Sequence, residues 1–176
     1  DRSDATGEPD QMRPQFYRNL SGRFDELSSA TVGPFFAGEH LGRALSKLDW
    51  NRDGKPDCCI SHLFTPAALL TNTSTVPGNM LRVRLIGVTV DRDAVGTHVT
   101  VEADGRKWTK QITMGNGYES TNEHILTFGL GSVDQVSRVT IDWTSGKTTV
   151  LTDLPVNAET TAIEGGTKWT SDMLSP

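Results

Sequence analysis

The chain has 176 residues, with 17 Lys and Arg against 22 Asp and Glu, a formal charge of -5 and a pI near 5.3. That balance supplies no basic field for a phosphate backbone or an anionic membrane surface, and no run approaches the roughly 18 apolar residues of a spanning helix or carries a secretory signal. Neither nucleic acid nor a membrane span is therefore expected, and the length suits one domain or two small ones whose core needs no disulfides.

Asp1 to Pro14 are charged, with Gly and two prolines and almost no apolar content, and read as an extended leader. From Gln15 the pattern changes. Gln15-Phe-Tyr-Arg18, a turn at Asn19-Leu-Ser-Gly22 and Arg23-Phe-Asp-Glu-Leu27 predict a hairpin. A Gly/Pro-rich crossing, Val32-Gly-Pro-Phe-Phe-Ala-Gly38, leads to the partly alternating Gly42-Arg-Ala-Leu-Ser-Lys-Leu48 and the apolar Cys58-Cys59-Ile60. Both read as extended segments. Ala67-Ala-Leu-Leu-Thr71 is a further short apolar run, and the polar, turn-rich Asn72 to Asn79 marks the best boundary.

The second half is more regular. Met80 to Val90 alternates around Leu81, Val83 and Leu85. Val95 to Ala103 and Arg106 to Met114 flank a hairpin signal at Asp104-Gly105. Ile125 to Phe128, Val136 to Trp143, Thr148 to Leu151 and Thr160 to Ile163 supply further strands. Short strands and frequent turns without a long 3.6-residue period predict an all-β fold, an antiparallel β-sandwich or an open barrel, with no helix of any length.

The strongest chemical signal lies between the two extended segments. In Asp49-Trp-Asn-Arg-Asp-Gly-Lys-Pro-Asp57, oxygen-bearing side chains stand at loop positions 1, 3, 5 and 9, with Gly54 at the sharp turn of position 6. Asp49, Asn51, Asp53 and Asp57, with the backbone carbonyl of Lys55, form a set of hard oxygen ligands without thiol or imidazole, which points to Ca²⁺. Position 12 is Ile60 instead of a bidentate Glu, so the loop is not an EF-hand. The alternative is an Asp/Asn/Gly turn whose side chains bond their own backbone.

Other candidates are weaker. The adjacent Cys58 and Cys59 cannot build a long-range disulfide framework and read as reduced thiols on a strand. Asp91 and Asp93 read as a structural turn, with a second metal site or an acid/base pair as the alternative. His40, His62, His98 and His124 show no zinc spacing, and Ser145-Gly-Lys147 lacks the upstream glycine of a phosphate loop. Trp50, Trp108, Trp143 and Trp169, with Tyr118, read as core or edge residues, or alternatively as a sugar platform.

Both halves carry family resemblances. Leu41 to Asp57 resembles an FG-GAP or VCBS-type repeat, the calcium-loop blade of integrin-like β-propellers, and Phe16 to Phe24 resembles the strand pair that precedes such loops. Asp91-Arg-Asp-Ala-Val-Gly96, Gly115-Asn-Gly-Tyr118, Phe128-Gly-Leu-Gly131 and Val139-Thr-Ile-Asp-Trp-Thr-Ser-Gly146 are similar, in order, to the ASPIC/UnbV domain. Thr144 stands where that family usually has Pro. The resemblance implies an FG-GAP/VCBS-like segment over 15–76, an ASPIC/UnbV β-domain over 79–165 and a tail over 166–176. Because a propeller needs about four to eight blades, it also implies the C-terminal part of a longer protein. The implied function is a non-enzymatic, calcium-stabilised binding or adhesion module that is secreted, periplasmic or at the cell surface. Its partner there would be a protein or glycan, and an open sheet edge could pair with another copy. A carbohydrate-binding module or hydrolase accessory domain is the alternative.

Overall fold

The structure is a computed structural model that describes residues 11–75 and 78–174; most of the expected leader, 1–10, and two residues of the expected boundary, 76 and 77, lie outside them. In chain order, β1 (Tyr17–Leu20) and β2 (Arg23–Glu26) are followed by a single helical turn α1 (Ser29–Val32), a 3-10 turn (Pro34–Ala37), β3 (Gly42–Leu48), β4 (Asp57–His62) and β5 (Ala68–Leu70). Then come β6 (Asn79–Ile86), β7 (His98–Ala103), β8 (Arg106–Gln111), β9 (Ile125–Gly131), β10 (Gln135–Asp142), β11 (Thr148–Pro155), β12 (Ala158–Ile163) and β13 (Trp169–Met173). The fold is all-β, and its only helical pieces among the described residues are those two four-residue turns.

By its contacts the chain divides into Asp1–Ala44 with Ile60–Ala68, and Leu45–Cys59 with Leu69–Pro176. In the first unit β1 and β2 form the expected hairpin, with Leu20 opposite Arg23. Ser21 and Gly22, at φ 55° and 95°, make its two-residue turn. An aromatic chain packs the rest: Phe16 meets Phe36 edge-on at 5.9 Å, and the Phe35 ring stacks on His40 at 4.2 Å. A three-stranded sheet runs in the order β3-β4-β5.

The second unit holds two four-stranded sheets, ordered β11-β10-β7-β8 and β13-β12-β6-β9. Alternation explains the core. Leu81, Val83 and Leu85 of β6 turn the same way and are buried with Val99 and Val101 of β7, Phe128 and Leu130 of β9, and Val139 and Ile141 of β10. At about 1.5–3 kcal/mol for each fully buried aliphatic or aromatic side chain, this shared cluster is what holds the sheets together. The sheets face each other as a sandwich and do not close into a barrel. Most pairings are antiparallel, but β12 runs parallel to β6, from Ala158 opposite Leu81 to Ile163 opposite Ile86. The segment read as a tail contributes β13, which pairs antiparallel with β12. Its polar Trp169-Thr-Ser-Asp-Met173 lacks the apolar alternation that would have marked it as a strand.

Candidate functional site

The Asp49–Asp57 loop belongs to the second unit, where it is built into the outer side of the sandwich. Gly54 is favoured at its apex by its φ of +82°, and a Cβ there would also displace the flexible end of the Met80 side chain, 2.3 Å from Sδ. Asp49 Oδ1 accepts from the Asp53 amide at 3.1 Å and Oδ2 from the Gly54 amide at 2.9 Å. Asn51 Oδ1 accepts from the same Asp53 amide at 3.3 Å, so the oxygens of positions 1 and 3 meet at one backbone N–H, the bonding of the Asp/Asn/Gly turn. Asp53 accepts from the Lys55 amide at 2.8 Å and from Asn51 Nδ2 at 3.0 Å. Burial works against the Asp53 carboxylate, but those two donors and the Lys55 charge outweigh it and hold the carboxyl below its ordinary pKa.

Asp57 is turned differently. Its oxygens accept from the Asn72 amide at 2.7 Å and the Trp50 amide at 3.2 Å. Among the described residues no three His, Cys, Asp or Glu side chains are gathered into a metal-holding group. The loop thus joins Asp49, Asn51 and Asp53 through shared backbone donors and folds Asp57 back onto its first turn. Three carboxylates and an amide oxygen remain a donor set suited to a hard divalent ion.

What sequence reasoning missed lies beneath this loop. Arg82 of β6 faces away from the core, the position of a solvent residue in Leu81-Arg-Val-Arg-Leu85, yet it is 1% exposed. Its guanidinium pairs with Asp49, with Glu123 at 3.0 Å and with Glu159 of β12 at 3.2 Å. Glu159 also pairs with Arg84 at 2.9 Å and with Arg52 of the loop at 3.6 Å. Three guanidiniums thus stand against three carboxylates; the sealed Arg82, Asp49 and Glu159 make the loss of any one of them costly, whereas Arg52 and Arg84 are open to solvent and screened. No local pattern announces this, because Asp49, the loop residue that pairs with Arg82, is 33 residues upstream.

A second buried carboxylate, Glu164, follows β12. It accepts from the backbone amides of Val88, Thr89 and Val90, at 2.9, 2.7 and 3.1 Å, from the Thr89 hydroxyl, and from the Ser145 hydroxyl at 2.7 Å. The Thr89 and Ser145 hydroxyls, then the amides, hold its pKa far below the carboxylate range against the opposing effect of burial. The Ser145 of the Trp143-Thr-Ser-Gly146 turn therefore serves as a clamp on this carboxylate, while Trp143 is buried with Nε1 donating to Thr149 at 2.9 Å. Asp91 likewise closes a turn, accepting from the Val95 amide at 3.1 Å, and Gly87 is needed because a Cβ would lie 2.0 Å from the Asp91 carbonyl. Asp93 points instead toward His124, 3.4 Å from its Nδ1.

The remaining tryptophans do not assemble a platform: Trp108 and Trp169 pack against the core, and Trp50 is exposed with Nε1 donating to Thr71 at 2.9 Å. Cys58 and Cys59 are free thiols. Burial first, then the neighbouring Asp57 charge, pushes the Cys58 thiol upward, away from the thiolate a nucleophile needs.

The second unit also holds a cavity of about 340 Å³, lined by Lys47, Lys110, Asn116, Asn122, Glu123 and His124 among others. Partial burial, and next the Lys47 charge, push the Lys110 pKa below the usual lysine value. No helix among the described residues is long and apolar enough to cross a membrane.

Compared with known proteins, the chain matches the family model described as ASPIC and UnbV over residues 87–168, somewhat under half its length. The match runs from the Gly87 turn through β7 to β12 and contains all four motifs that carry the resemblance. No curated protein matches the chain.

Proposed function

We propose that the chain is a non-enzymatic binding module of a secreted, periplasmic or cell-surface protein, in which an FG-GAP-like calcium loop braces an ASPIC/UnbV β-sandwich. The observation that carries this reading is the 1-3-5-9 spacing of Asp49, Asn51, Asp53 and Asp57 around Gly54, in a loop that is itself seated, through Asp49 and Arg52, on β6 and β12. Asp49, Asn51, Asp53, Asp57 and the Lys55 carbonyl would hold the ion. Bound there, it would supply neutralising charge and lock the loop, so that binding free energy becomes folding free energy. The buried, hydrogen-bonded carboxylates and the disfavoured Cys58 thiolate support a structural role for these groups over a catalytic one.

Thermal melting with calcium or with EGTA, on the wild type and on Asp53→Ala, tests it. At calcium one hundred times Kd the gain is about 2.7 kcal/mol, roughly 5 to 10 °C in Tm for a chain of this length. Asp53→Ala should abolish the difference. An identical midpoint in calcium and EGTA for the wild type sinks the calcium half of the reading. A second reading, a carbohydrate-binding module or hydrolase accessory domain, is favoured by the cavity of about 340 Å³ with its mixed polar and apolar wall, which is near the lower end of ligand-site volumes. A glycan array without hits removes it.

A further inference from the structure

The cavity beside β8 and β9 gathers two lysines, two asparagine amides and a histidine in one wall. Lys47 and Lys110 both line it, and neither makes an ion pair among the described residues, in a chain whose net charge is -5. Lys110 Nζ donates to the Thr127 carbonyl at 2.5 Å and lies 5.4 Å from the Phe128 ring centroid, so it is held in place without being neutralised. The one carboxylate in the wall, Glu123, is already committed: Arg82 Nη2 takes its oxygens at 3.0 and 3.2 Å, and the Asp49 amide donates to Oε2 at 3.2 Å. The remaining wall mixes amide side chains and the His124 imidazole with the apolar Ile112, Ile125 and Leu126. Asn122 Oδ1 accepts from the Lys47 amide at 2.8 Å, fixing the side chain, while Asn116 Oδ1 accepts from the Asn122 amide at 3.2 Å and its Nδ2 donates to the Thr113 hydroxyl at 2.6 Å. His124 Nε2 has no hydrogen-bond partner.

We propose that this cavity binds a small hydroxyl-rich ligand carrying an oxyanion, a uronic acid or sulfated sugar, with Lys47 and Lys110 facing the anion and the Asn116 and Asn122 amides facing hydroxyls. Two lysines lining one cavity repel each other, and an anion between them relieves that repulsion. Lys ammonium groups act as adaptable point charges, and the two amide side chains, fixed by their existing hydrogen bonds, offer hydroxyls their remaining N–H groups and lone pairs. The inference rests on the reading of the chain as a binding module and names what that module binds. It does not require the calcium loop to be filled.

The test is isothermal titration of the full chain at low ionic strength with sodium glucuronate, glucose, sodium acetate and sodium sulfate, each in calcium and in EGTA. The amide NMR shifts of Asn116 and Asn122 are followed in parallel. Glucuronate should bind, shift both amides and lose at least tenfold in affinity in Lys110→Gln and in Lys47→Gln. Glucose should not bind, and acetate and sulfate should bind more weakly. Glucose binding as tightly as glucuronate overturns the anion requirement, and sulfate or acetate binding as tightly overturns the sugar. Absence of glucuronate binding, or undiminished binding in both lysine variants, overturns the site. Glucuronate binding that persists in EGTA while the calcium-dependent Tm difference is missing condemns the ion alone; the opposite pattern condemns this proposal alone.

Discussion

The two units are written in the same idiom of short strands and Gly-containing turns, yet they differ in what they bury. In the first, residues 11–44 and 60–68 include no fully buried side chain; its aromatic chain of Phe16, Phe35, Phe36 and His40 is packed ring to ring but remains partly open to solvent. In the second, Leu81, Val83, Val99, Val101, Phe128 and Val139 are all at 0% exposure, and even an arginine is sealed. The difference shows where stability resides. Hairpins with good turns form locally, but only two sheets laid face to face remove enough apolar surface from water to dominate the folding free energy.

Truncating one aromatic in each region breaks this comparison most sharply. Phe128→Ala should cost about 3–5 kcal/mol in urea unfolding, whereas Phe16→Ala, at a 46% exposed position, should cost under about 1 kcal/mol, mainly its edge contact with Phe36. Equal losses would mean that the first unit shares a core of comparable weight.

Next comes the sealed network. Arg82→Met should cost about 3 kcal/mol, toward the lower end for breaking a buried ion network, because the Glu123 side chain is 30% exposed and keeps some hydration. If the calcium reading holds, the loss should shrink when calcium is added, since an ion would take over the charge of Asp49. A loss near zero in chelator would show that the loop does not seat on β6.

The smallest effect is a pH dependence. Glu164 has a depressed folded-state pKa against an ordinary value of 4.5, so its contribution is fully present above about pH 4.5 and is lost as pH falls below it, when the unfolded chain takes up a proton first. Tm of the wild type should therefore decline through the acid range more steeply than that of Glu164→Gln, which starts lower but lacks this titration. Parallel curves would remove Glu164 from the acid response.

How much of the site was legible depended on distance along the chain. The spacing of Asp49, Asn51, Asp53 and Asp57 was visible because a turn and its donors are local. The Lys47 and Lys110 pairing was not, since those residues come from β3 and β8. The Glu164 clamp was equally hidden: a lone Glu after a strand looks solvated until the Val88–Val90 amides and Ser145 surround it.

What the amino-acid order determined by itself is local: the two-residue turns at Ser21-Gly22 and Asp104-Gly105, the period-two burial of β6, β7 and β10, and the curl of the acidic loop around Gly54. These depend on φ preferences and nearest neighbours in sequence. Only the tertiary structure decided that β12 runs parallel beside β6, that the polar residues 169–173 form a strand, and that Arg82 lies inside. The physical reason is that a strand's second face, unlike its turn, takes its character from whatever is laid over it, and here the cover comes from the loop after β3, far away in the chain.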